Sequence, residues 1–170
     1  MADHNVSGII SRYLKDAIAA ESSFESQLMA FAKEGDDPAA QSLFQQHAAE
    51  TRSQRERLET RLAALGDSPS TMKSAMAHMF NFAPKVASMG HDESERTTQN
   101  LMIAYAVEHS EVAMYESLAT VAEAVGDQQT AMLAREIQQE EARTAQMVWN
   151  MIAPSARRSL AELTSEMHSR

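Results

Sequence analysis

His47 and Glu50 stand three residues apart, as do Glu108 and Glu111; Glu140 adjoins Glu141, and Glu21 stands alone. Spacing of three puts both members of a pair on one helical face and aims them at one place. Carboxylates joined by an imidazole are donors that iron(II) and manganese(II) accept. Ionised carboxylates buried side by side repel, and each loses its hydration. No Lys or Arg stands on the same apolar seams to offset them. Two dications would do so, since bridging and terminal carboxylates bring about four negative charges. The candidate metal ligands are therefore Glu21, His47, Glu50, Glu108, Glu111, Glu140 and Glu141. The fourth seam reads equally well with Glu140 or Glu141 turned inward, and His47 reads as a ligand or as a packed histidine.

Such a site needs helices to hold it, and the composition supplies them. Five Gly and four Pro are sparse breakers in 170 residues, while the abundant Ala, Glu, Gln, Leu and Met are good helix formers. Alternating strand-like runs are missing from the sequence, so the chain reads as all-α. Breakers at Gly35–Pro38, Gly66–Pro69, Gly90–Asp92, Gly126–Asp127 and Pro154 bound four long helices, about 7–33, 38–65, 94–125 and 130–152. Each carries apolar residues every three to four positions. The stripes are Ile10, Leu14, Ala17, Phe24, Leu28 and Phe31; Leu43 or Phe44, Leu58, Leu62 and Leu65; Leu101, Ala104 or Tyr105, Val112, Tyr115, Leu118 and Ala122; and Leu133, Ile137, Met147 or Val148, and Met151. Each turns polar near mid-length.

Short connections make helices 1–2 and 3–4 antiparallel hairpins, and the long segment 66–93 crosses from one to the other. That layout is a ferritin-like four-helix bundle. A helical pattern over 72–80 is expected on the crossover, and a short fifth helix, about 155–168, after Pro154. The whole of 1–170 reads as one domain.

Other function classes fall away. With 15 Lys+Arg against 24 Asp+Glu the net charge is −9, which disfavours gripping nucleic acid or an anionic membrane surface. No apolar run is long enough to span a membrane. The absence of Cys removes disulfide, thiolate and iron–sulfur chemistry. Met1–Gly8 lacks a basic stretch followed by an apolar one, so a cytoplasmic protein is expected. Met72, Met76 and Met79 read as packing, and Arg52, Arg55, Arg57 and Arg61 with Glu56 and Glu59 as a solvated face. Tyr105 and Tyr115 read as core aromatics, as hydrogen-bond donors beside Glu108, or as electron-transfer sites.

The run Tyr13-Leu14-Lys15-Asp16-Ala17-Ile18-Ala19-Ala20-Glu21, followed by His47-Ala48-Ala49-Glu50-Thr51-Arg52-Ser53-Gln54 and Arg57-Leu58-Glu59, resembles the YciE/YciF-like stress proteins of the ferritin-like superfamily. Val107-Glu108-His109-Ser110-Glu111, Tyr115 and Glu140-Glu141 fit the second half of that pattern. The resemblance spans about 10–150. It implies a homodimer with a dinuclear, carboxylate-rich centre of two iron ions, or manganese with iron, held by Glu21, Glu50, Glu108, Glu111 and Glu140 or Glu141, with His47 as nitrogen donor. Glu108-x-x-Glu111 also resembles the third helix of rubrerythrins, which reduce peroxide. The departure lies on helices 2 and 4, where Gln54 and Thr144 stand at the positions the superfamily gives to histidine. Two readings follow. One is a metal protein of stress response that handles O2 or peroxide, as a ferroxidase or peroxidase. The other is a non-catalytic dimeric scaffold with a degenerate site. A DNA-binding cage fits less well, because Met1–Gly8 is not basic.

Overall fold

The computed structural model describes residues 2–34, 36–69 and 92–168. Every described element is helical: α1 (Ala2–Glu34), α2 (Pro38–Ala64), a 3-10 turn (Glu93–Glu95), α3 (Arg96–Ala124) and α4 (Gln128–His168). The expected helix over 72–80, with Met72, Met76 and Met79, lies outside the described residues.

Turn chemistry fixes both hairpins. Asp37 accepts from the Ala39 amide at 3.0 Å, and Pro38 opens α2, where its missing N–H is no loss. Gly66 and Gly126 adopt φ of 78° and 79°, the left-handed conformation that ends helices with little strain only at glycine. In each turn the following Asp amide reaches back to a helix carbonyl: Asp67 to Leu62 at 3.2 Å and Asp127 to Ala122 at 2.9 Å. Asp127 then caps α4 through the Thr130 amide at 3.0 Å and takes Arg61 Nη2 at 2.7 Å, which ties α2 to α4.

The helices pack mainly as α1 on α2 and α3 on α4. Their buried apolar residues form two cores, not one. Phe24, Leu28, Phe31, Phe44, Leu101, Ala104 and Val148 make the first. Ile10, Leu14, Leu58, Leu62, Leu118 and Ile137 make the second. Thus α1 and α4 run from opposite cores to α2 and α3, and α2 ends at the core opposite the one where α3 begins.

The tail departs from the expected pattern: α4 does not stop at Pro154 but runs through it to His168. Proline there removes the hydrogen bond to the Asn150 carbonyl. Tertiary contacts hold the helix beyond it. Ser155 Oγ lies 2.7 Å from Thr98 Oγ1, Ser159 Oγ donates to the Ser94 carbonyl at 2.7 Å, and Arg158 pairs with Asp37 at 2.7 Å. Residues 155–168 therefore form no separate helix but continue α4, because these anchors outweigh the lost backbone bond.

Candidate metal centre

Between the two apolar cores lies a polar layer to which every helix contributes. From α1 comes Glu21; from α2, His47, Thr51 and Gln54; from α3, Glu108, Glu111 and Tyr115; from α4, Glu141 and Thr144. None is more than 2% exposed. The spacings explain the membership. Residues 47, 51 and 54 recur at four and three, as do 137, 141, 144 and 148 on α4, so polar and apolar members share one inward stripe.

One residue is 100° of helix, and that rotation settles the ambiguous positions. Thr51, not Glu50, occupies the stripe of α2. The Glu50 side chain is 43% exposed and stands 3.8 Å from His47 Nδ1, at the edge of the layer. On α4 it is Glu141 that turns inward. Glu140 lies outside the layer, engaged by both Arg57 amino groups and by Gln54 Nε2 at 3.2 Å. Glu50 and Glu140 are therefore not brought together with the buried acids. The arginines of α2 also differ from the expected solvated face: Arg55 Nη2 binds Glu25 at 3.1 Å, Arg57 binds Glu140, and Arg61 binds Asp127.

Inside the layer, His47 Nε2 lies 2.5 Å from Glu108 Oε1, and the Tyr115 hydroxyl donates to Glu21 Oε1. One donor atom each of His47, Glu108 and Glu141 falls within 4.8 Å of the others. The remaining acceptors are left over. Glu21 Oε2, Glu108 Oε2, both oxygens of Glu111, both of Glu141, Thr51 Oγ1 and Gln54 Oε1 are buried without a hydrogen-bonding partner among the described residues. Nor is any Lys or Arg buried among those residues.

Electrostatics records the mismatch. Burial pushes the Glu21 carboxyl up to about 8, against the opposing pull of Tyr115. Burial, reinforced by the charges of Glu21 and Glu108, holds Glu111 well above the usual carboxylate range. Glu141 is raised likewise by burial and by Glu111. Burial works against a charged His47, but its carboxylate neighbours Glu108 and Glu50 prevail and bring it to about 9. Glu50 is lowered, chiefly by His47. Burial also raises the Tyr115 phenol. Raised acids crowded in one dry layer mark a candidate functional centre.

The donor chemistry fits a metal ion: His47, Glu108 and Glu141 could hold one, and the buried carboxylates of Glu21 and Glu111 lie in the same layer. Beside the layer, a cleft of about 390 Å³ between α2 and α4 is lined by Glu50, Ser53, Arg57, Glu140, Arg143 and Thr144. Thr144 belongs to both the cleft and the buried layer. Sequence reasoning gave Thr51 no role, read Tyr115 as a core aromatic or a hydrogen-bond donor beside Glu108, and placed Arg57 on a solvated face. The first two stand on the inward stripes, a signal the spacing carries; the partner of Arg57 lies 83 residues away on another helix.

Helix order, two hairpins and a mid-bundle layer of buried carboxylates define a ferritin-like four-helix bundle. Residues 8–161 match the family described as "Domain of unknown function (DUF892)", and the chain belongs to that family. Among solved structures it is similar to protein XCC3681 from Xanthomonas campestris, at 25% identity and a TM-score of 0.79, covering 94% of this chain and 99% of that one. It is also similar to the E. coli stress protein YciF, at 23% identity and a TM-score of 0.80, with 89% and 97% covered. A Rhodobacter capsulatus bacterioferritin, with a metal-free dinuclear site and heme iron, shares the fold at 14% identity and a TM-score of 0.70, with 88% and 87% covered. Among curated protein sequences, none matches the chain. No helix among the described residues is long and apolar enough to cross a membrane.

Proposed function

We propose that this protein is a ferritin-like dinuclear metal protein of stress response, binding two iron ions, or iron with manganese. Glu21, His47, Glu108, Glu111 and Glu141 are the ligands in this reading. The observation that carries it is the set of six buried carboxylate oxygens, one each from Glu21 and Glu108 and two each from Glu111 and Glu141, that find no donor among the described residues. Left as they are, each group bears an unmet desolvation cost of about 1–3 kcal/mol; coordination to cations removes it.

When bound, iron supplies one-electron chemistry toward O2 or peroxide, so the proposed activity is that of a ferroxidase or a peroxide reductase. The protein's part is orientation and exclusion. Tyr115 fixes one oxygen of Glu21 and leaves the other free to bind. Phe24 packs edge-on against the His47 ring, with centroids 5.4 Å apart, and sets the imidazole plane. The apolar cores on either side keep bulk water out, and the α2–α4 cleft gives a small oxidant its approach.

Elemental analysis of protein purified without chelator tests the assignment, together with optical assay of iron(II) oxidation. About two ions per chain and accelerated oxidation are expected. Protein that holds no metal and leaves the oxidation rate unchanged overturns it. A non-catalytic scaffold is the second reading, favoured by the His47–Glu108 contact and by the raised acids, which neutralise part of the layer without metal. Exposed Met132, Trp149, Leu160 and Met167 support a homodimer, to be read by sedimentation equilibrium. A cytoplasmic setting goes with either reading.

A further inference from the structure

A chain of three side chains, Arg57, Glu140 and Gln54, lies at the edge of the polar layer, and none of the three is among the ligands named above. Arg57 donates Nη1 to Glu140 Oε1 at 3.1 Å and Nη2 to Oε2. Glu140 Oε2 accepts a further bond from Gln54 Nε2 at 3.2 Å. A primary amide has a donor end and an acceptor end, so committing Nε2 to Glu140 turns Oε1 away from it. The opposite orientation would set the amide oxygen against a carboxylate oxygen, two acceptors face to face. Gln54 is 1% exposed, stands on the stripe of α2 that carries His47 and Thr51, and its Oε1 is buried with no donor among the described residues. The Arg57 charge is felt by Glu21 and Tyr115, which sets the chain against that end of the layer.

Resting on the metal reading above, we propose that Gln54 Oε1 is a further, neutral oxygen ligand of the centre. Glu140 is not a ligand but the positioning residue that orients the amide, with Arg57 as its anchor. The buried donors are then four carboxylates, one imidazole and one amide oxygen. So oxygen-rich a set favours manganese(II) and iron(II) over softer ions.

Manganese(II) binding, followed by the electron paramagnetic resonance signal of the free ion, tests this on the full chain. Gln54→Leu removes the oxygen at similar volume and is expected to weaken binding roughly 10–100-fold, the range for losing an ordering partner or weak donor. Glu140→Ala is expected to weaken it about tenfold, while Glu140→Gln, which keeps an acceptor for the amide, stays within a few-fold. The decisive comparison is the double variant. If Glu140 acts through Gln54, adding Glu140→Ala to Gln54→Leu weakens binding no further. A residue that merely attracts cations by its charge would weaken it again. Melting of the metal-free proteins checks that the fold survives; Glu140→Ala, at a partly exposed position, carries the test should Gln54→Leu not fold. Unchanged affinity in Gln54→Leu, unchanged affinity in Glu140→Ala, or an additive double variant overturns the assignment and leaves the metal centre standing. Wild-type protein that binds no manganese(II) and no iron(II) overturns the metal centre, and this ligand with it.

Discussion

Glu111→Gln should move the metal-free and metal-loaded proteins in opposite directions. Glu111 is fully buried and neither carboxylate oxygen has a partner among the described residues. Burial raises it well above its ordinary value of 4.5. A group raised in this way favours the fold below its unfolded value, and that advantage fades as pH rises toward the folded one. Retaining at pH 7 a proton that the unfolded chain sheds near 4.5 costs up to about 3 kcal/mol, at about 1.4 kcal/mol per pH unit. Glutamine keeps the shape and never has to hold that proton. In chelator at pH 7 the variant should therefore be more stable by up to about 3 kcal/mol, a rise of roughly 6–12 °C in Tm for a chain of this size. At pH 4.5 the difference should vanish. With manganese(II) or anaerobic iron(II) present the order should reverse, since wild type gains about 4 kcal/mol at a thousandfold excess over its Kd and the variant loses a ligand. Thermal melts at two pH values, with chelator and with metal, give all four comparisons. A variant that is less stable than wild type without metal at pH 7, or a difference that ignores pH, refutes the electrostatic reasoning.

Metal affinity should climb from pH 5 to pH 8, because Glu21 near 8, His47 near 9 and the raised Glu111 and Glu141 must release protons to bind; calorimetry in buffers of different ionisation enthalpy counts them, and a pH-independent affinity would contradict the burial of these groups. Tyr115→Phe strips Glu21 of its one donor among the described residues and should destabilise the metal-free protein by about 1–3 kcal/mol in urea melts. Asp127→Ala removes the cap of α4 and the partner of Arg61, and about 1–2 kcal/mol should be lost at neutral pH. Asp127 is held below its ordinary value by Thr130 and Arg61, against burial, so its contribution stands above pH 3.8 and disappears as acid protonates it.

Helical periodicity carried much of this architecture because a bundle repeats one local rule. Apolar stripes, the glycines at 66 and 126, and the polar break in each stripe can all be read along a single helix. A one-residue rotation cannot. Glu50 and Thr51 fit the α2 stripe equally well by spacing, and only packing against α1 and α4 turns Thr51 inward. Glu140 and Glu141 pose the same problem, which Arg57 resolves by capturing Glu140 from another helix. Pro154 misled for a related reason. Its local effect is to break a helix, while Ser155, Arg158 and Ser159 anchor the far side through contacts with residues near 94–98 and with Asp37, about 60–120 positions away in the chain. The bond from Tyr115 to Glu21 spans 94 positions and leaves no trace in local pattern.

Two separate apolar cores strung on the same four rods have a thermodynamic consequence of their own. Without cations the slab between them rests on few bonds between helices, chiefly Tyr115 to Glu21 and His47 to Glu108, so one half should open more readily than the whole. Ions bound to side chains from all four helices would lock the halves into one unit. Loading would then show as cooperativity: the calorimetric and van't Hoff enthalpies, unequal beforehand, would converge, and amide protons beside the waist would begin to exchange only when the entire molecule unfolds.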